Sequence, residues 1–139
     1  MRLLLDTHVA LWAITDHPRL PASIRALIAD PANTIVVSAA SLWEIAIKHG
    51  LARGGPNDMP LSGDQALSFF RQAGYQLLAI APEHVIAVEQ LPAHHTDPFD
   101  RLLVAQALSE PLRRLDETLA ARKPKLRWRP PEPALAAAE

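Results

Sequence analysis

The sequence predicts a layered α/β fold built on a mostly parallel sheet, and two observations carry that expectation. Leu3-Leu4-Leu5, Ile35-Val36-Val37 and Leu77-Leu78-Ala79-Ile80 are short apolar runs without polar alternation, as expected of strands covered on both faces. Between them lie longer segments with helical spacing and recognisable start and stop residues, so strands and helices alternate along the chain.

In chain order, Leu3 to Leu5 forms the first strand, and a helix follows from about Val9 to Ile14. Pro21 stands at a first helical position and opens a helix to Ala29, which Asp30-Pro31 stops. Ile35 to Val37 is a β-branched strand. Ser38 then stands where an N-cap belongs, at the head of a helix ending near His49-Gly50. Arg53 to Gly63 holds three Gly and two Pro and reads as a loop. A helix from about Asp64 to Ala73 ends at Gly74. Leu77 to Ile80 is the third strand, and Pro82 starts a short helix reaching about Leu91. Pro98 opens the helix Phe99 to Ser109. Leu112 to Leu115 is read as a fourth strand, a short helix follows Asp116, and Leu126 to Trp128 is read as a fifth strand. One domain over residues 1–128 is expected, with 129–139 a mobile tail rich in Pro and Ala.

A chain of 139 residues with 49% hydrophobic side chains can bury a substantial core. There is no cysteine, which excludes disulfides and thiolate-bound zinc. Asp6 interrupts the opening apolar run, too early for a signal peptide. No apolar run approaches the ~20 residues that span a bilayer, so a cytoplasmic protein without membrane association is expected. The formal net charge is −1, but seven of the fourteen Lys and Arg residues lie between Arg113 and Arg129. That concentration is either a solvated surface or a phosphate-contacting rim.

Five acids stand out, and three of them sit at strand ends or in helices just beyond strands, where a parallel sheet gathers its functional groups. Each also has a plain structural explanation. Asp6 follows the first strand and can be an N-cap. Glu44 stands four residues before Lys48, the favourable order for a surface ion pair. Asp97 precedes Pro98 and fits a cap. Asp116 sits between a strand and a helix, as Asp6 does. Asp100 is harder to explain structurally: Leu103, Val104, Ala107 and Leu108, at helical spacing from it, are all apolar. It therefore heads the buried stripe, where a carboxylate costs several kcal/mol unless paired or metal-bound. Carboxylates so grouped repel one another and shift their pKa values upward unless a cation sits among them. An all-oxygen set favours Mg²⁺ or Mn²⁺ over zinc. His94 and His95 are read as loop residues near the site rather than ligands. Of Trp12, Trp43 and Trp128, most are expected in the core.

Three segments resemble the successive motifs of VapC-type PIN-domain toxins: Met1-Arg2-Leu3-Leu4-Leu5-Asp6-Thr7-His8, Ser41-Leu42-Trp43-Glu44-Ile45-Ala46-Ile47-Lys48, and His95-Thr96-Asp97-Pro98-Phe99-Asp100-Arg101 with Leu102 to Ala107. The resemblance implies a PIN-like three-layer α/β/α sandwich. It also implies a metal-dependent endoribonuclease acting as the toxin of a toxin–antitoxin pair. Asp6, Glu44, Asp100 and Asp116 would be catalytic; Asp6, Asp100, Glu44 and Asp97 would hold Mg²⁺ or Mn²⁺. Arg101, Arg113 and Arg114 are candidates for RNA phosphate contacts. A VapB-like antitoxin and a homodimer are the implied protein partners. The last motif departs from the family pattern, because the segment before Asp116 is short and carries Arg113-Arg114, and Glu117 can substitute for Asp116. Two competing readings are a PIN-fold interaction module that binds metal or RNA without cleaving and a small-molecule phosphohydrolase.

Overall fold

The computed structural model describes residues 1–92, 97–110 and 112–115. Strands β1 (Arg2–Leu5), β2 (Thr34–Ser38), β3 (Gln76–Leu78) and β4 (Arg113–Leu115) alternate with helices α1 (Thr7–Thr15), α2 (Ala22–Ala29), α3 (Ala39–Gly50), α4 (Gly63–Gln72), α5 (Pro82–Ala87) and α6 (Pro98–Ser109). The expected single helix after Pro82 is instead α5 followed by a 3-10 turn, Val88–Gln90. The expected fifth strand, the helix after Asp116 and the residues 129–139 lie outside the described residues, as do His94, His95 and Trp128.

The four strands form one sheet in the order β3-β2-β1-β4, and every pairing is parallel. The chain steps outward from β1 through β2 to β3 and then crosses to the other side of β1 to place β4. That reversal creates a crevice at the carboxyl ends of β1 and β4, the topological switch point where open α/β sheets bind ligands.

The unbroken apolar strands fill two cores, because successive side chains point to opposite faces. Leu3, Leu5, Ile35, Val37 and Leu115 pack with Val9, Ala10 and Leu11 of α1, Ile24 of α2, Ile45 of α3, and Ala66 and Phe70 of α4. Leu4 and Val36 face the other way, against Ala40 and α6 residues Leu102 and Leu103. The result is the three-layer α/β/α sandwich with a parallel central sheet that the sequence predicts.

One polar chain crosses the second core. Gln106 is fully buried on α6, where its amide oxygen accepts from the Ser38 hydroxyl at the end of β2. Its amide nitrogen donates to the Ala79 carbonyl at 3.4 Å. The neighbouring His84 ring accepts the Ala81 N–H at 3.0 Å through Nδ1, which directs its Nε2–H to Glu110 at 3.1 Å. Buried polar groups are tolerated when they find such partners, and these fix α5 and α6 against the sheet edge.

Candidate active site

Asp6 directly follows β1 at the switch point. Its main-chain N–H donates to Leu115 O at 2.8 Å, continuing the β1–β4 ladder by one residue. It occupies the N-cap position of α1, yet its side chain makes no capping hydrogen bond. The carboxylate points instead into the crevice between β1 and α6. Capping alone therefore does not explain Asp6.

Asp100 lies in the first turn of α6, with its side chain 23% exposed and that of Asp6 18% exposed. Asp97, the residue before α6, is a true cap: its carboxylate accepts from the Phe99 N–H at 2.9 Å and the Asp100 N–H at 3.3 Å. A carboxylate spent in this way fixes the start of α6 and so aims Asp100.

The group between Asp6 and Asp100 is the Arg114 guanidinium. It stands 3.6 Å from Asp6 and makes an ion pair with Asp100. Strand register accounts for the position. Arg114 is the β4 partner of Leu4, so it projects to the same face as Leu4, the face that α6 covers. Arg113, one residue earlier, is exposed, and its guanidinium lies 3.9 Å from the Met1 sulfur. Arg101 donates to the carbonyls of Pro92 at 3.0 Å and Val88 at 3.1 Å, anchoring the 3-10 turn to α6.

Glu44 stands on α3, where its charge acts on His8 beside Asp6. It is 4% exposed, not the surface residue that an Glu-to-Lys spacing suggests, and Lys48 covers it with a 2.6 Å ion pair. A buried hydrogen bond from the Thr7 hydroxyl to Ser41 Oγ, 2.9 Å, ties the start of α1 to α3. Trp43, beside Glu44, meets Phe99, beside Asp100, edge-on with centroids 4.9 Å apart. Trp43 is 56% exposed, so it belongs to the rim rather than the core, where Trp12 does pack.

His8 is a member of the site that sequence reasoning did not select. Its Nδ1 lies 3.7 Å from the Asp6 carboxylate, and its only signal was its place two residues beyond that acid. The pair shapes the local electrostatics. Burial pushes the Asp6 carboxyl up, but the His8 ring, the Arg114 guanidinium and the Thr7 N–H together outweigh it and hold the group below its usual range. The upward shift expected for crowded acids is thus reversed at Asp6, because cations already sit beside it. The nearby Asp6 carboxylate in turn raises the His8 pKa.

Among the described residues, no three Asp, Glu or His side chains are grouped closely enough to hold a metal ion. Asp116 and Glu117 lie outside those residues. The donor chemistry nevertheless suits a hard divalent cation. Asp6 and Asp100 come from distant segments, offer only oxygen, and already share one positive group, Arg114, standing in a cation's place.

Comparison with known proteins agrees with this fold. A family model described as PIN domain matches residues 3–117. No curated protein matches the chain by sequence. Among solved structures, the chain is similar to one in the crystal structure of VapBC2 from Rickettsia felis bound to a DNA fragment from their promoter. The TM-score is 0.58 at 17% identity, with 82% of this chain and 85% of that chain covered. At that identity the likeness is one of fold.

Proposed function

The chain belongs to the PIN-domain family, and from that premise we propose that it is a divalent-metal-dependent endoribonuclease, the toxin half of a toxin–antitoxin pair. The observation that supports this reading most is the convergence of Asp6 and Asp100 on one cation at the switch-point crevice.

In this reading Asp6 and Asp100 hold the metal, Mg²⁺ or Mn²⁺, with Glu44 and Asp116 completing the site and Asp97 at its mouth. A divalent cation bound there lowers the pKa of water and offsets charge developing on the phosphate. The protein groups do the positioning. Asp97 sets the first turn of α6, the Thr7–Ser41 hydrogen bond fixes α1 against α3, and the Trp43–Phe99 contact holds the two rim helices together. Arg113 is exposed and available for a backbone phosphate. Arg101 and Arg114 would have to exchange protein acceptors for phosphate to act in the same way.

The solved neighbour is a VapBC complex, which supports a VapB-like antitoxin as partner; a homodimer is proposed with it. No helix among the described residues is long and apolar enough to cross a membrane, and the proposed place of action is the cytoplasm, where RNA is available.

A second reading has its own support. Arg114 offsets part of the charge of the two central acids, as expected of a PIN-fold module that binds without cleaving. Incubation of purified protein with single-stranded RNA separates the two. Cleavage with Mn²⁺ that stops with EDTA and in Asp6→Asn supports the nuclease; RNA retention without cleavage supports the module.

A further inference from the structure

Arg114 has the charge and position of an occupant rather than a bystander. It is on the last described strand, its register turns it beneath α6, and its guanidinium lies within ion-pair distance of both Asp6 and Asp100. Lys48 stands in the same relation to the buried Glu44. Among the described residues Asp6 and Asp100 thus already face a side-chain cation, and their attraction for an added ion is correspondingly reduced. We infer that Arg114 is the resident cation of the acidic centre: it holds Asp6 and Asp100 in the metal-free chain and has to leave the space between them before a divalent ion can take both carboxylates.

The two occupants exclude each other by geometry. Carboxylate oxygens on Mg²⁺ stand at about 2.0–2.1 Å in a near-octahedral shell, and a planar guanidinium hydrogen-bonded to Asp100 and 3.6 Å from Asp6 takes up space between the carboxylates that such a shell needs. Electrostatics links them as well. An ion that binds only after Arg114 departs has its apparent affinity reduced by the fraction of molecules in which the space is open. The inference rests on the proposed metal site, which it deepens by naming the residue that sets its affinity. It also gives Arg114 a second position: displaced from the acids, its side chain remains at the crevice mouth, with its charge free for phosphate.

The test is Mn²⁺ binding, followed by calorimetry and by the paramagnetic signal of the free ion, with no substrate present. Arg114→Gln is expected to bind Mn²⁺ at least tenfold more tightly than the unaltered chain. Arg114→Lys, a point charge without the planar fork, should lie between them. Arg25→Gln, which removes a remote cation paired with Asp16, should match the unaltered chain and controls for net charge. Equal affinity in the unaltered chain and Arg114→Gln overturns the resident-cation role while leaving the metal site standing. Absence of Mn²⁺ binding in every protein overturns both. Should Arg114→Gln fail to fold, ¹⁵N-arginine spectra of the unaltered chain decide instead. The Arg114 Nε–H signal is expected to shift and lose its exchange protection as Mg²⁺ saturates; Mg²⁺ binding with that signal unmoved overturns the inference.

Discussion

The main-chain N–H of Asp6 donates to the carbonyl of Leu115 at 2.8 Å, which joins the end of the first strand to the end of the last described one. Through this bond the acid at residue 6 and the strand carrying Arg114 are held in a fixed relation, although more than one hundred residues separate them. The crevice is consequently a property of the sheet rather than of a loop, and substitutions in it can alter charge without dismantling the fold.

Asp100→Asn tests that separation. RNA cleavage should fall by orders of magnitude while the circular dichroism spectrum is retained. The substitution removes the charge that pairs with Arg114, so the metal-free protein should lose about 1–2 kcal/mol of stability. Retained cleavage with a much larger loss of stability would mark Asp100 as a structural residue.

Glu44 and Lys48 give the second prediction. Lys48→Met leaves a nearly buried carboxylate without its cation, and unfolding in urea should show a loss of about 1–3 kcal/mol. Lys48→Met with Glu44→Gln should recover most of it, because no uncompensated charge remains. An additive double variant would show that the two side chains do not depend on each other.

The His8–Asp6 pair makes stability depend on pH with a defined sign. A His with a raised folded-state pKa contributes fully below its unfolded value, about 6.5, and loses that contribution as pH rises through the raised value. Asp6, with a lowered pKa, contributes above about 3.9 and loses its contribution as pH falls further. The melting temperature of His8→Gln should therefore lie furthest below that of the unaltered chain near pH 5–6, and the gap should close above pH 8. A gap that widens toward alkaline pH would contradict the pairing.

Asp116 is proposed as the last acid of the site on sequence grounds. Asp116→Asn should reduce cleavage strongly with little change in stability, since Asn caps a helix about as well as Asp. Should Asp116→Asn and Glu117→Gln both retain full cleavage, neither residue belongs to the centre.

Much of the fold could be read from local pattern. Leu3-Leu4-Leu5 is apolar at every position because Leu3 and Leu5 enter one core and Leu4 the other. Asp97-Pro98 marked a helix start, and the apolar positions following Asp100 placed that acid at the head of a buried face. The helix after Pro82 changed to a 3-10 turn at Val88, where Arg101 takes a carbonyl, a long-range contact that propensity does not contain. The role of Arg114 was hidden for the same reason. On sequence it is one of several basic residues near the carboxyl end, whereas its contact with Asp6 and Asp100 follows from pairing β4 beside β1 in one register. Which tryptophans enter the core is not written in local pattern: Trp12 packs there, whereas the contact with Phe99 of α6 places the exposed Trp43 at the rim.

The most direct test of the nuclease reading is the chemistry of the cut ends. Purified protein should be incubated with a defined single-stranded RNA in Mg²⁺ or Mn²⁺, with an EDTA control, and both new termini identified. Attack by water on phosphorus with departure of the 3′ oxygen leaves a 5′-phosphate and a 3′-hydroxyl, and these are the predicted products, absent with EDTA. A 2′,3′-cyclic phosphate, or cleavage that persists in EDTA, would show that the 2′-hydroxyl is the nucleophile or that no metal takes part, and would contradict the assignment of Asp6 and Asp100.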